Sequence, residues 1–288
     1  MRFEKWQALG NDYMIVERDE LDFELTPARI RRLCEGHFGV FADGVLLLSP
    51  SPDAEHVAAL QIFNPDGSEA ELSGNGAREA ILYLRHRGWT ECDEFSITTA
   101  AGVIRPTITG PDTCRVDMGS AKLVSQDFPG GPADGRGTAS SGGRDWSFQH
   151  VSIGNPQCAI RVADEHELDQ LDLPSLGPAI EADAQFPNRT NVSWYAELDD
   201  GVAPRIRARI FERGVGETLS SGTGATGAAV AYLTERRLSD ASIAVTLDGG
   251  ELQVDVHDGL KVHLTGWARP VFEGRLSDDF AKELHETE

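Results

Sequence analysis

Cysteine is scarce in this sequence. Four cysteines occur among 288 residues, and none belongs to a Cys-x-x-Cys or Cys-x-His pair with the ligand spacing that zinc requires. Four cysteines are also too few for the disulfide framework of a secreted protein of this length. We therefore expect unpaired, buried thiols at positions 34, 92, 114 and 158, a reducing compartment and no bound metal.

Long apolar runs and positive charge are also scarce. No apolar run approaches the roughly 20 residues that cross a membrane, and the N-terminus lacks the pattern of a signal peptide. The 26 basic residues, of which four are lysine, face 47 acidic ones, which gives a net charge of −21. Such a surface repels nucleic acid and anionic lipid. We expect a cytoplasmic protein without a nucleic acid or membrane partner, and homodimer formation stays open.

The chain contains an internal repeat. Phe63–Ala77 and Phe211–Ala225 both read Phe, nine residues, then Ser-Gly-x-Gly-Ala, and they lie 148 residues apart. Two shorter blocks recur at nearly the same shift: Gly10-Asn11 with Gly154-Asn155, and Gly102 with Gly250. A period of this length corresponds to a domain. We predict two homologous domains, residues 1–118 with 265–288 and residues 119–264.

Local patterns predict an α+β fold. Each repeat contains a strand, a glycine-rich turn and an apolar helix, and residues 97–104 and 245–252 predict hairpins. Thr26 and Pro27 mark the start of a further helix. The helix near residues 225–236 has almost no polar face, so we expect a curved sheet wrapped around a central helix in each half. Residues 125–145, rich in Gly, Ser and Pro, predict an exposed loop.

The two Ser-Gly-x-Gly-Ala turns each lie between a strand and the start of a helix. Exposed N–H groups and the helix dipole at such a place favour a small anion such as a carboxylate. Inversion of a carbon centre needs a base on one face and an acid on the other, and each half can supply one group. Ser73 and Ser221 stand immediately before the two glycine turns.

The sequence resembles the diaminopimelate epimerases, which are cofactor-independent two-base racemases. The resemblance rests on LGNDY (9–13), FGVFADGVLL (38–47), FNPDGSEAELSGNGAR (63–78), GNPQC (154–158), FPNRTN (186–191) and FERGVGETLSSGTGA (211–225). It implies two pseudo-symmetric domains, each a β-sheet or barrel around a helix, with the active site in the interdomain cleft. It also implies conversion of L,L- to meso-diaminopimelate in lysine biosynthesis, without metal or other cofactor.

The resemblance further implies roles for individual residues. Substrate contacts fall to Asn11, Asn64, Asn155 and Asn191. The backbones of Gly74-Asn75 and Gly222-Thr223 would hold the α-carboxylate. Glu212 and Arg213 would bind the reacting amino-acid end, and Glu212 would also tune the acid/base pair.

Three positions depart from the family pattern. The family has cysteine where Ser73 and Ser221 stand, and histidine where Gln157 stands. A serine needs an adjacent base to act, Gln157 cannot be that base, and Glu212 is the candidate that the motifs offer. Gly44 stands where the family often has glutamine, so the contact to the distal end of the substrate stays unassigned.

These departures leave three interpretations open. The first, which we favour, is a working epimerase that uses hydroxyls or a water relayed by Glu212, with Ser73, Ser221 and Glu212 as its catalytic residues. The second is another amino-acid isomerase or dehydratase, as in the phenazine-biosynthesis isomerases, which share the fold and lack the cysteine pair. The third is an amino-acid-binding homologue without turnover. An engineered exchange of both cysteines is disfavoured, because Gln157 differs as well.

Overall fold

The computed structural model describes residues 1–71, 73–198 and 203–287. The chain forms two compact units, Met1–Val116 with Gly266–Glu288 and Asp117–Thr265. Leu72, which belongs to the first of the two repeated segments, lies outside the described residues.

Strands dominate the described residues. The strands are β1 (Arg2–Ala8), β2 (Asn11–Glu17), β3 (Val45–Pro50), β4 (Ala58–Phe63), β5 (Glu69–Ala70), β6 (Ile97–Thr99), β7 (Gly102–Ile104), β8 (Pro106–Gly110), β9 (Thr113–Ser120), β10 (Arg136–Ser141), β11 (Arg144–Ser152), β12 (Pro156–Arg161), β13 (Asn191–Leu198), β14 (Arg205–Glu212), β15 (Gly216–Thr218), β16 (Ala241–Leu247), β17 (Gly250–His257), β18 (Lys261–Trp267) and β19 (Arg269–Arg275). The helices are α1 (Pro27–Cys34), α2 (Gly74–His86), α3 (Glu165–Gln170), α4 (Leu173–Glu181), α5 (Gly222–Arg236) and α6 (Asp278–Glu286). Short 3₁₀ turns cover Arg18–Glu20 and Asp258–Leu260.

The sheet of the first unit has the strand order β19-β1-β2-β3-β4-β6-β7, with β5 paired to β4. Two of its pairings, β2 with β3 and β4 with β6, are parallel, and the others along this path are antiparallel. Helix α2 packs against β1, β2, β3 and β19. Its residues from Asn75 to Leu84 are buried, so the sheet covers most of the helix surface.

The sheet of the second unit contains the order β10-β11-β12-β13-β14-β16-β17-β18, with β15 paired to β14. Strand β12 is parallel to β13, and β14 is parallel to β16. The sequence of antiparallel and parallel pairings from β11 to β17 therefore repeats the one from β1 to β7. Helix α5 packs against β11, β12, β13, β14, β16 and β17. It contains glycine and alanine at many positions, which lets the strands approach its backbone closely.

The predicted α+β fold, with one buried helix against each sheet, is confirmed. The helices predicted from Thr26-Pro27 and from the two glycine turns are present as α1, α2 and α5, and the predicted hairpins are β6–β7 and β16–β17. Over the described residues the strand paths are open, so the sheets are not closed barrels.

The predicted loop at 125–145 is wrong in its second half. Residues 136–141 form β10, which pairs with β11 through a two-residue turn at Gly142 and Gly143, both with positive φ. Such a turn matches the twist of a hairpin. The sequence shows no apolar strand pattern here, because the side chains that this strand buries are the small ones of Ala139 and Ser141.

The cysteines are free thiols, as predicted, but not all of them are buried. Cys34, Cys114 and Cys158 are buried, and Cys92 is exposed. Burial raises the pKa of the Cys34 and Cys114 thiols to about 12, which keeps them protonated. Among the described residues, no three or more His, Cys, Asp and Glu side chains are grouped to hold a metal ion. In the same residues no helix is both long and apolar enough to cross a membrane.

Candidate active site

The two serines singled out in the sequence are helix N-caps. Ser73 Oγ accepts a hydrogen bond from the N–H of Gly76 at 3.1 Å, and Ser221 Oγ accepts one from the N–H of Gly224 at 3.3 Å. Helices α2 and α5 therefore begin at the next residue in each case. The first N–H groups of a helix have no partner within it and carry the positive end of its dipole, so both serines lie beside an electropositive backbone.

Ser221 contacts Glu212. The Ser221 hydroxyl donates to Oε2 of Glu212 at 2.9 Å, and the Thr218 hydroxyl donates to Oε1 at the same distance. Glu212 is the last residue of β14, and Thr218 ends the short strand β15 beside it. Burial raises the pKa of the Glu212 carboxyl above its ordinary value, against the opposing effect of the two hydroxyl hydrogen bonds. A carboxylate with a raised pKa is a stronger base than an exposed one.

Ser73 contacts a different type of side chain. The Tyr13 hydroxyl donates to Oγ of Ser73 at 3.2 Å. The Tyr13 ring is 5% exposed and lies between two glycines. A Cβ added at Gly44 would lie 2.7 Å from Cε1 of that ring, and one added at Gly76 would lie 3.3 Å from Cε2. The absence of side chains at these two positions therefore leaves room for the phenol beside Ser73.

Amide side chains line the start of α2. Asn75 donates through Nδ2 to Oδ1 of Asn11 at 3.2 Å, and Asn11 donates through Nδ2 to Oδ2 of Asp43 at 2.7 Å. Arg78, which is 1% exposed, donates through Nη2 to Oδ1 of Asn75 at 2.5 Å. The predicted contact residues Asn11 and Asn75 are thus brought together, with their amide groups oriented by a cation at one end and a carboxylate at the other.

A similar pair lies at the start of α5. Asn155 donates through Nδ2 to Oγ1 of Thr223 at 3.3 Å, and Gln157 donates through Nε2 to Oδ1 of Asn155 at 2.7 Å. Gln157 is fully buried, on β12. It therefore orients the amide of Asn155. Gln157 is not a base, so its role here is to position that amide.

The remaining predicted contact residues are held by hydrogen bonds to backbone groups or within their own turn. The N–H of Arg213 donates to Oδ1 of Asn191 at 2.8 Å, while the Arg213 guanidinium donates through Nη1 to the carbonyl of Asn188 at 2.7 Å. Asn64 follows β4 and donates through Nδ2 to Oγ of Ser68 in its own turn at 3.0 Å. Within the described residues, the side-chain hydrogen bond of Asn64 thus joins it to its own turn and to none of the other predicted contact residues.

Sequence reasoning missed several side chains that touch the predicted site residues. They include Tyr13, Thr218 and Arg78. All three lie inside motifs that carry the resemblance. The contact of Tyr13 depends on the packing of β2 against α2, and that of Thr218 depends on the pairing of β14 with β15. Local sequence patterns reveal neither.

Comparisons with known proteins agree on the family. The profile of the diaminopimelate epimerase family matches residues 3–124 and again residues 149–270. The chain is 38% identical over 287 residues to the diaminopimelate epimerase of Pelotomaculum thermopropionicum, covering 95% of this chain and 98% of that protein. It is 36% identical over 283 residues to diaminopimelate epimerase 2 of a Nostoc species, covering 97% and 96%.

Solved structures share the fold at lower identity. A phenazine biosynthesis protein of the PhzF family from Bacillus anthracis matches with a TM-score of 0.72 at 19% identity, covering 96% of this chain and 99% of that chain. A hydroxyproline epimerase from Agrobacterium vitis matches with a TM-score of 0.66 at 17% identity, covering 97% and 93%. These two structures establish the fold alone, whereas the profile and the relatives extend over nearly the whole sequence. The chain therefore belongs to the diaminopimelate epimerase family and is an isomerase.

Proposed function

We propose that this protein converts L,L-diaminopimelate to its meso isomer by proton transfers among its own side chains, as a step in lysine biosynthesis. The substrate is supported by the relatives, which bear the name diaminopimelate epimerase and match along nearly their whole length. The observation that carries the reaction is the hydrogen bond from Ser221 to Glu212. It supplies the adjacent base that a serine needs in place of a thiol.

The base half of the proposed reaction uses Glu212 and Ser221. The α-proton of the substrate moves to Oγ of Ser221 as the hydroxyl proton of Ser221 moves to Oε2 of Glu212. The electron pair of the broken C–H bond stays on the substrate. The raised pKa of Glu212 favours this transfer, because it brings the carboxyl closer to neutral pH, where a general base is most effective.

The carbanion formed in this step is stabilised by the two helix starts. The N–H groups of Gly74-Asn75 and of Gly222-Thr223 belong to the first turns of α2 and α5. In the proposal they bind the α-carboxylate, onto which the negative charge spreads. Fixed N–H donors at a point of developing charge stabilise a transition state strongly. Asn11 and Asn155, whose amides are held by neighbouring side chains, orient the rest of the amino acid.

The acid half of the proposed reaction uses Ser73. Its hydroxyl gives a proton to the opposite face of the carbanion, which inverts the centre. Exchange with solvent then restores the proton of Ser73 and removes the one held by Glu212. The hydroxyls of Ser73 and Ser221 have different hydrogen-bond partners. Asn64, Asn191 and Arg213 are the remaining proposed substrate contacts.

Proton NMR in D₂O tests this proposal. The purified protein is incubated with L,L-diaminopimelate, and solvent deuterium at the α-carbon and formation of the meso isomer are followed together. We expect both for the native chain, and loss of both for a Ser73→Ala/Ser221→Ala variant. Ser277→Ala is the matched control, because Ser277 caps α6 through the N–H of Phe280 and has no part in the proposed site.

Two outcomes would contradict the proposal. Absence of both exchange and inversion in the native protein, with activity in a Ser73→Cys/Ser221→Cys variant, would show recognition of the substrate without hydroxyl catalysis. Inversion of proline or 4-hydroxyproline in place of diaminopimelate would show an epimerase with another substrate.

A further inference from the structure

We propose that Tyr13 is a positioning residue that makes Ser73 the proton donor when Ser221 takes the α-proton, so that the two serines have opposite roles in that direction of the reaction. This inference rests on the proposed function, because it assumes that Ser73 exchanges a proton with the substrate. Nothing in the sequence motifs assigns Tyr13 a role of this kind.

The hydrogen bonds of Ser73 set its direction. Its Oγ accepts from the Tyr13 hydroxyl at 3.2 Å and from the N–H of Gly76 at 3.1 Å. A serine oxygen has two lone pairs and one hydrogen. With both lone pairs engaged, Ser73 retains its hydrogen for donation, which is the state that a proton donor to a carbanion requires.

Ser221 has the reverse arrangement. Its hydrogen is donated to Oε2 of Glu212, and among the described residues its oxygen accepts one hydrogen bond, from the N–H of Gly224. One lone pair of Ser221 therefore stays available to receive a proton. The proton that leaves Ser221 has an acceptor already in place, so this serine belongs to the base half.

The internal repeat makes this difference explicit. Glu212 follows Phe211, and the corresponding residue after Phe63 is Asn64, which binds Ser68 in its own turn. Tyr13 lies two residues after Asn11, and the residue two after Asn155 is Gln157. Each half thus contributes one side chain that hydrogen-bonds its serine. Tyr13 and Glu212 occupy different positions of the repeat.

The protons transferred in one turnover balance. Ser73 loses its O–H bond as the new C–H bond forms, and the Tyr13 hydroxyl proton moves to Oγ of Ser73. Tyr13 is then a phenolate and Glu212 a neutral carboxyl. Exchange with solvent water returns a proton to Tyr13 and removes one from Glu212, which restores the starting state.

The experiment measures exchange and inversion separately in Tyr13→Phe, starting from the L,L isomer and from the meso isomer in D₂O. The phenylalanine keeps the ring between Gly44 and Gly76 and removes only the hydroxyl. From the isomer whose α-proton is taken by Ser221, we expect deuterium exchange to continue. The inversion rate should fall about 100-fold, as for loss of a general acid. From the other isomer, exchange and inversion both decline.

A rescue variant and a matched control are measured together with Tyr13→Phe. Tyr13→Phe/Ser73→Cys should recover inversion to within about 10-fold of the Ser73→Cys chain, since a thiol can act as the acid without a phenol beside it. Tyr83→Phe removes another hydroxyl of the same unit, one that donates to Glu17 at 2.8 Å, and should leave both rates unchanged.

The outcomes that overturn the inference differ from those that overturn the proposed function. Unchanged rates in Tyr13→Phe, or equal loss of exchange and inversion from both isomers, would show that Tyr13 does not direct Ser73, while the epimerase activity would stand. A native protein with neither exchange nor inversion would overturn both. If Tyr13→Phe folds poorly, the inference still requires the rescue variant to invert the substrate; failure of a folded rescue variant would contradict it.

Discussion

The hydroxyl of Ser221 donates to Oε2 of Glu212 at 2.9 Å, which joins the N-cap of α5 to the end of β14. The eight residues between them fold back through β15, whose Thr218 binds the other carboxylate oxygen. Both oxygens of Glu212 are therefore oriented by hydroxyl donors. A partly buried carboxylate held in this way is a fixed base beside a fixed alcohol.

The first prediction concerns Glu212→Gln. The amide keeps the shape of the side chain but accepts no proton, so we expect α-proton exchange to fall by about 10² to 10⁴. Substrate binding should change much less, because the side-chain volume is preserved. NMR exchange rates and calorimetric titration with diaminopimelate measure the two effects. A variant that retains native exchange would rule out Glu212 as the base.

The pH dependence of the exchange rate in the native protein is a second test of Glu212 as the base. The base form of Glu212 is the deprotonated one, and burial raises its pKa above the ordinary value of 4.5. The exchange rate should therefore fall as the pH is lowered through that raised pKa, at a higher pH than an exposed glutamate would give. A rate profile that stays flat from pH 8 down to about pH 5 would be inconsistent with this assignment.

The second prediction concerns the buried residue Glu79 on α2. Burial raises its pKa well above 4.5, so the folded protein keeps this proton to a higher pH than the unfolded chain does. Stability then declines as the pH rises between these two pKa values, by up to about 1.4 kcal/mol per pH unit for one group. Glu79→Gln should reduce this decline and raise the melting temperature at neutral pH relative to the native chain.

Melting curves from pH 5 to pH 8 compare Glu79→Gln with the native protein. The exposed residue Glu91 supplies the control, since Glu91→Gln should leave the pH dependence of the native chain unchanged. Equal pH slopes for the native protein and Glu79→Gln would show that Glu79 is not protonated differently in the two states.

The third prediction separates capping from catalysis. Ser221→Ala removes the cap of α5 and should cost about 1 kcal/mol in the free energy of unfolding, within the usual range for a lost N-cap. Ser277→Ala removes the cap of α6 and should cost a similar amount. Only Ser221→Ala should lose epimerase activity. Equal activity in the two variants would mean that Ser221 serves the helix alone.

The fourth prediction concerns close packing against α5. A Cβ at Gly227 would lie 2.7 Å from Cβ of Gln157. Overpacking of this kind costs about 1 to 3 kcal/mol, which exceeds the gain of about 1 kcal/mol that alanine brings to a helix. Gly227→Ala should therefore lower the free energy of unfolding. Gly130→Ala, where a Cβ meets open space, is the control, and a neutral result for both would contradict the packing argument.

The fifth prediction follows from the net charge of −21. Repulsion among 47 acidic residues opposes the compact state, and salt shortens its range from about 10 Å at 0.1 M to about 3 Å at 1 M. The melting temperature should rise with NaCl, and KCl at the same ionic strength should act alike. A melting temperature that falls with salt would show that attractive ion pairs dominate.

Local signals account for the parts of the fold that were predicted correctly. Thr26 with Pro27 starts α1, and the serines before the two glycine turns start α2 and α5, because capping involves residues only a few positions apart. The strand at 136–141 was missed, since its Gly, Ser and Ala residues have low strand propensity. Its pairing depends on β11, whose Trp146 and Phe148 enter the core of the second unit.

The sequence by itself determined the family, the repeat, the two serines at helix starts and the amides around them. Only the tertiary structure decided which side chain each serine contacts. Ser221 meets Glu212 because β14 and β15 turn back onto the start of α5. Ser73 meets Tyr13, 60 positions earlier in the chain, because two glycines leave room for the ring. Such contacts depend on strand register and on close approach of backbones, and these are set by the packing of the whole unit.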